Sequence, residues 1–202
     1  MSVKTPTKVD PFDTPKERTS AGVFGMWIFI VVVGMLFAAC ILGYLVVRLD
    51  SLQGKPWLPP GAPGLPHALL LSTALLLAGS WTIQHAVRAM RLNHAVAAHA
   101  AIGWTLVLAC IFIVVQCVAW AQLWQQQAGI DSSLYAWTFY VLTGVHALHV
   151  LGGLPPLVLV FKRSAGRAYS SGNYDGLLYC AMYWHALDVI WIALYATLWL
   201  GS

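Results

Sequence analysis

The sequence predicts an all-α integral membrane bundle of five transmembrane helices, and three observations carry that prediction. Of 202 residues, 59% are hydrophobic and 9% are charged, whereas a soluble globular domain carries about 25% charged residues. A chain of this size cannot hide so much apolar surface in its own core, so lipid must act as its solvent. Five apolar stretches follow one another, each longer than the roughly 20 residues a helix needs to cross a bilayer. The basic residues between them fall almost entirely on alternate connections, as membrane topology requires.

The first segment, residues 1–21, is polar and carries both signs of charge. It lacks the apolar run that follows the basic start of a secretory signal and reads as a cytoplasmic tail. Residues 22–202 then form the transmembrane domain. Its spans are Gly22–Val47, His67–Val87, Ala95–Trp124, Leu134–Phe161 and Gly176–Leu200. The connection Arg48–Pro66 is rich in Pro and Gly, so irregular backbone outside the hydrocarbon is expected there. Small residues crowd the start of the third span (Ala95, Ala97, Ala98, Ala100, Ala101, Gly103) and allow close helix packing. Pro155 and Pro156 lie inside the fourth span and should kink it near its inner end.

Lys4, Lys8, Lys16, Arg18, Arg88, Arg91, Lys162, Arg163 and Arg167 share one side of this topology; Arg48 and Lys55 lie on the other, and together they are all 11 Lys and Arg. The N-terminus is therefore expected in the cytoplasm and the C-terminus outside. Trp57, Trp120, Trp124, Tyr135, Trp137 and Trp199 gather at the outer ends as an aromatic belt. The net charge of +4 follows from topology and does not point to nucleic acid. Cys40, Cys110, Cys117 and Cys180 all lie in apolar spans without a Cys-x-x-Cys spacing, so they read as small buried hydrophobes rather than disulfides or zinc ligands.

Polar residues inside the spans are the candidate functional groups. Asp188 lies in the middle of the last span, where an acid costs roughly 2.5 to 3.5 kcal/mol on insertion scales, so it needs a partner, a watered cavity or a job. His185 precedes it by three residues and shares its face. His146 and His149 share a face of the fourth span, with His146 about 18 Å along it. The two antiparallel spans would bring His146, His149, His185 and Asp188 together as one hydrogen-bonded cluster near the midplane, with Thr143 or Tyr183 joining. Such a cluster ties helices together. It could instead carry protons, or two His on opposed helices could hold a haem; His85 and His99 could supply another pair but lie nearer the cytoplasmic ends and read better as interfacial or packed residues. Gln84 and Gln116 read as helix–helix hydrogen bonds, and Asp175 as a solvated residue complementing a helix start.

At these residues the chain resembles a known family. Ser133–Gly153, with Thr143-Gly144-Val145-His146-Ala147-Leu148-His149 at its centre, is similar to the signature stretch of subunit III of haem-copper terminal oxidases. Tyr183-Trp184-His185-Ala186-Leu187-Asp188-Val189-Ile190-Trp191 resembles that family's last-helix motif, and Gly25-Met26-Trp27-Ile28-Phe29 its first-helix motif in the short, five-helix bacterial form. The resemblance implies a non-catalytic subunit of a cytochrome c oxidase-type complex in the bacterial cytoplasmic membrane. It implies no haem or copper of its own; these belong to partner subunits, with catalytic subunit I and subunit II as neighbours. It further implies phospholipid held in a cleft between helices, and a role in keeping proton uptake fast. Arg88, Arg91, Lys162 and Arg163 on the inner rim are the expected headgroup contacts, by electrostatic attraction. The chain departs from the pattern twice: Val33 and Leu178 stand where the family usually carries carboxylates. Quinol oxidases and nitric oxide reductases have subunits of the same kind. A small haem-binding anchor and an independent carrier are the rival classes.

Overall fold

The computed structural model describes residues 14–51, 68–125, 134–166 and 169–201. Most of the N-terminal tail, the Pro/Gly-rich connection with Lys55 and Trp57, the third connection and Arg167 lie outside the described residues. The described residues form five helices: α1 (Pro15–Ser51), α2 (Ala68–Arg91), α3 (Ala95–Gln125), α4 (Leu134–Ala165) and α5 (Asp175–Gly201). All five are long and apolar enough to cross a membrane. Large apolar side chains remain exposed on every one of them, among them Trp27, Trp81, Trp104, Leu148 and Val189. A helix surface of that kind is stable in hydrocarbon and not in water.

Helix ends show why these residues start and stop where they do. The Thr14 hydroxyl accepts from Glu17 N–H (3.3 Å), while Glu17 accepts from Thr14 N–H (3.0 Å). This reciprocal box satisfies two donors at the start of α1, with Pro15 opening the helix, where its missing N–H costs nothing. The helix thus begins before Gly22, and residues from Pro15 onward in the expected tail are helical. At the end of α2, Asn93 takes a left-handed φ of 60°. Its N–H bonds Met90 C=O (3.0 Å) and His94 N–H bonds Ala89 C=O (2.9 Å), the paired closure of a Schellman motif. That turn lets α3 start at Ala95, directly against α2, and the two helices share the largest interface of the fold.

Helices α2, α3, α4 and α5 close into a ring in which each packs on the next and α5 returns to α2. Helix α1 stands outside that ring, packed along α5 and barely touching α4. Its inward stripe is Val33, Phe37 and Tyr44, all buried, at helical spacing. Val33 is thus part of a packed face, while Leu178 is half-buried on α5. The α1–α5 contact is pinned where the two helices start. Thr19 Oγ1 donates to Asp175 (2.8 Å) and Tyr179 Oη donates to Thr19 C=O (3.3 Å). Asp175 is therefore more than a solvated helix-start residue; its carboxylate holds a neighbouring helix. Helix α4 is assigned continuously through Pro155 and Pro156, which leaves the carbonyls of Leu151 and Gly152 without their intrahelical donors.

Candidate functional site

Helix α5 is the most deeply packed of the spans, because it faces α1, α2 and α4 at once. Its polar residues are divided among those neighbours. His185 Nδ1 lies 2.6 Å from Ser80 Oγ and its Nε2 lies 3.0 Å from Gln84 Oε1. A carboxamide oxygen only accepts, so Nε2 carries the proton, and a neutral ring then accepts from Ser80. Trp191, two turns along, donates its Nε1–H to Thr73 Oγ1 (3.0 Å). Ser80, Gln84 and Thr73 all belong to α2. Asp188 sits between His185 and Trp191, is 5% exposed, and has no hydrogen-bond partner for either carboxylate oxygen. Ser80, which lies 2.6 Å from His185, is a neighbouring hydroxyl on α2.

The α4 histidines lie elsewhere. His146 is fully buried with both ring nitrogens unpartnered. Three rings surround it: Trp191 at 4.9 Å, Phe112 at 5.9 Å and Phe37 at 6.0 Å between centroids. His149 is half-buried, 5.0 Å from Phe37, and its Nδ1–H donates to the Val145 carbonyl of its own helix (2.8 Å). Tyr183 Oη donates to the His149 carbonyl (2.8 Å) and so joins α5 to α4. Among the described residues, no direct hydrogen bond links any two of His146, His149, His185 and Asp188. The expected single bonded cluster is thus replaced by two arrangements, His185 tied to α2 and His146 enclosed by rings. The physical reason is ring closure. The α5 stripe carrying His185 meets α2, a neighbour distant in sequence, instead of α4. Thr143 bonds Trp120 Nε1 (3.0 Å) across α3–α4 and does not reach the histidines.

Gln84 makes a helix–helix bond, whereas both amide atoms of Gln116 are buried and unpartnered. Trp191 is the residue that sequence reading passed over. It touches α2 through Thr73, α3 through Phe112 (5.3 Å) and α4 through His146. Its signal was present: a tryptophan mid-span needs a partner for its N–H.

A cavity of about 560 Å³ opens between α1, α4 and α5. Met26, Phe29, Leu148 and Leu159 give it apolar walls, His149 and Tyr183 lie in its wall, and Arg163, Tyr169 and Tyr179 stand toward the end where α4 stops and α5 starts. Of the other basic residues named above, Lys162 borders an adjoining groove with Leu151 and Pro155. Arg91 lies 6.0 Å over the Tyr174 ring, and Arg88 is exposed.

Among the described residues, no group of three or more His, Cys, Asp or Glu could hold a metal ion. A haem fits poorly on His146, His99 or His85. His146 is closed in by side-chain rings that leave no slot for a macrocycle. His99 is stacked on Phe161 (4.3 Å) and bonded to Ser164 (2.7 Å), while His85 lies against Trp81 on the exposed side of α2.

The family described as cytochrome c oxidase subunit III matches residues 16–202. Cytochrome c oxidase subunit 3 of Corynebacterium diphtheriae is 31% identical over 166 residues, covering 81% of this chain and 80% of that protein. The Synechocystis protein of the same name is 31% identical over 180 residues, covering 88% and 75%. The Anopheles gambiae protein of that name is 36% identical over 153 residues, covering 74% of this chain but 57% of its own length. With five membrane-crossing helices and these matches, the chain belongs to the cytochrome c oxidase subunit III family, multi-pass membrane subunits of haem-copper oxidases.

Proposed function

We propose that this subunit does no chemistry itself and serves its oxidase by holding structural phospholipid beside catalytic subunit I and subunit II in a bacterial cytoplasmic membrane. In that place it would support assembly and keep proton uptake by the catalytic subunit fast; haem and copper would reside in the partners. The observation that carries the reading is the cavity between α1, α4 and α5. It combines apolar walls for acyl chains with Arg163, Tyr169 and Tyr179 toward one end. An anionic headgroup near a membrane-surface Lys or Arg gains about 1 kcal/mol per cation. Arg88, Arg91 and Lys162 would complete the basic rim on the same side. The interior polar residues His146, His149, His185 and Asp188 serve in this reading to fix the bundle, with His185 tying α5 to α2.

The test is lipid retention in the purified oxidase complex. Arg163→Gln should weaken retention of one phospholipid by about fivefold, the equivalent of one surface cation. The pair Arg88→Gln and Arg91→Gln tests the rim separately. Unchanged co-purified lipid in both variants would overturn the lipid role. Mild-detergent purification of the tagged chain should bring down haem- and copper-bearing subunits. A chain that purifies alone would overturn the partnership.

A further inference from the structure

We propose that the outward groove between α2 and α3 is a second lipid site, which seats one anionic phospholipid with its phosphate on Arg88 and an acyl chain between Trp81 and Trp104. The groove has a volume of about 310 Å³; Trp81 and His85 of α2 and Trp104 of α3 form its sides, and Ala97, Ala100 and Ala101 of α3 its floor. It shares no lining residue with the cavity between α1, α4 and α5. The inference therefore goes beyond the cavity reading and stands or falls without it.

Helix α2 presents two different stripes. Thr73, Ser80, Gln84 and Arg91 recur at helical spacing and all meet the α5 side. Thr73 bonds Trp191, Ser80 and Gln84 bond His185, and Arg91 stands over the Tyr174 ring just before α5 starts. Trp81, His85 and Arg88, at i, i+4 and i+7, form the other stripe, and all three are exposed. The Trp81 and His85 rings lie 5.8 Å apart. Arg88 continues this stripe toward the turn at Asn93 that joins α2 to α3. At 1.5 Å per residue, Trp81 lies about 15 Å before the end of α2 and Trp104 about 14 Å after the start of α3. The two indoles thus stand at one depth on opposite sides of the groove, 69% and 62% exposed.

Charge and shape identify the occupant. Neither α2 nor α3 contains an Asp or Glu, so neither helix offers Arg88 a carboxylate. Arg91 is drawn to Tyr174 and His99 is bonded to Ser164, which leaves Arg88 as the exposed cation at the end of the groove. The His85 imidazole adds a ring N–H one turn away on the same stripe. A cation at the membrane surface above an apolar furrow complements an anion that carries a hydrocarbon tail. The furrow itself is shallow, because α2 and α3 share the largest interface of the fold. A helix is about 10–12 Å across with its side chains and would meet the two projecting indoles before it reached the alanines. An acyl chain is thin enough to lie on them. Tryptophan is enriched at the two membrane interfaces, so an exposed pair at mid-depth has a different role, which gripping a chain from both sides supplies.

The experiment uses the assembled oxidase in nanodiscs of phosphatidylcholine, with phosphatidylglycerol added as the anionic probe. A density map should show an acyl chain between Trp81 and Trp104 and a phosphate beside Arg88. Native mass spectrometry should show retention of one phosphatidylglycerol weakened about fivefold by Arg88→Gln, the share of a single surface cation. Ala100→Leu fills the groove from an exposed position and leaves every cation in place; it should remove the same lipid. Arg163→Gln acts on the cavity and should leave this lipid bound. A map with the groove empty or filled by a partner helix overturns the proposal. So does phosphatidylcholine held there as tightly as phosphatidylglycerol, or retention unmoved by Arg88→Gln and Ala100→Leu. Loss of this lipid in Arg163→Gln would merge the two sites and overturn it as well. The map uses the unaltered chain, so it decides the matter even where a variant fails to assemble.

Discussion

Trp191 joins three helices through three kinds of contact: a hydrogen bond to Thr73, an edge-on ring contact to Phe112 and a tilted one to His146. The contributions separate by substitution. Trp191→Phe keeps the ring contacts and removes one interhelical hydrogen bond, worth about 0.6 kcal/mol and at most about 1.7 in membrane proteins. A small drop in the thermal midpoint in detergent is expected. Trp191→Ala also opens a cavity and should cost about 3–5 kcal/mol, enough to reduce recovery of assembled complex. At Asp188 the informative change is Asp188→Asn. The amide still accepts and donates hydrogen bonds, so assembly and oxidase turnover should match the unaltered complex if the residue is structural. Normal assembly with lost turnover would instead assign it a proton-handling role. His185 has its two ring nitrogens shared between Ser80 and Gln84. Ser80→Ala should therefore weaken the α2–α5 tie without breaking it.

Helix pairs in this bundle meet where a side chain would not fit. A Cβ on Gly153 would stand 2.8 Å from Tyr183 Cε1 and 3.5 Å from Trp184, whereas one on Gly152 meets nothing within 4 Å. Tyr183 cannot swing away freely because its hydroxyl holds the His149 carbonyl. Gly153→Ala should thus destabilise the α4–α5 pair by about 1–3 kcal/mol, the usual cost of overpacking, while Gly152→Ala should be close to neutral. Thermal unfolding of the two variants side by side checks the contrast. Gly22 is similarly close to Tyr179 and lets α1 lie against α5. At the α2–α3 turn, Asn93 adopts the left-handed region, which costs roughly 1–2 kcal/mol for an ordinary residue. Asn93→Gly should be tolerated or slightly stabilising, and Asn93→Ala should lower the midpoint.

The described residues of the whole molecule form a closed four-helix ring with α1 added on one side, and the cavity is a consequence of that addition. Because α1 follows α5 and scarcely touches α4, space remains between α1 and α4, floored by α5. Truncation of α1 should therefore abolish lipid retention while leaving the α2–α5 ring folded, as read by lipid content and circular dichroism. The proposed topology has its own check. A reporter at the C-terminus should be active on the outer side of the membrane, and one at the N-terminus on the cytoplasmic side. Expressed alone, the subunit should be colourless; a Soret band would restore the haem-anchor reading.

Much of this was legible in the chain. Five spans follow from apolar length alone, because hydrocarbon forces each crossing segment to satisfy its backbone as a helix. Family membership was readable in two long motifs around His146, His149, His185 and Asp188 and in a shorter one at Gly25–Phe29. The sequence also identified which side chains were out of place in a membrane interior, since the cost of an acid or imidazole there does not depend on its neighbours. It could not say which helix each polar face would meet. Helical periodicity gives an azimuth on one rod and carries no information about which rod lies opposite. Ring closure brought α2 to α5, gave His185 to Ser80 and Gln84, and set Trp191 between three helices. That choice was made by packing among side chains far apart in sequence, and only the tertiary structure contains it.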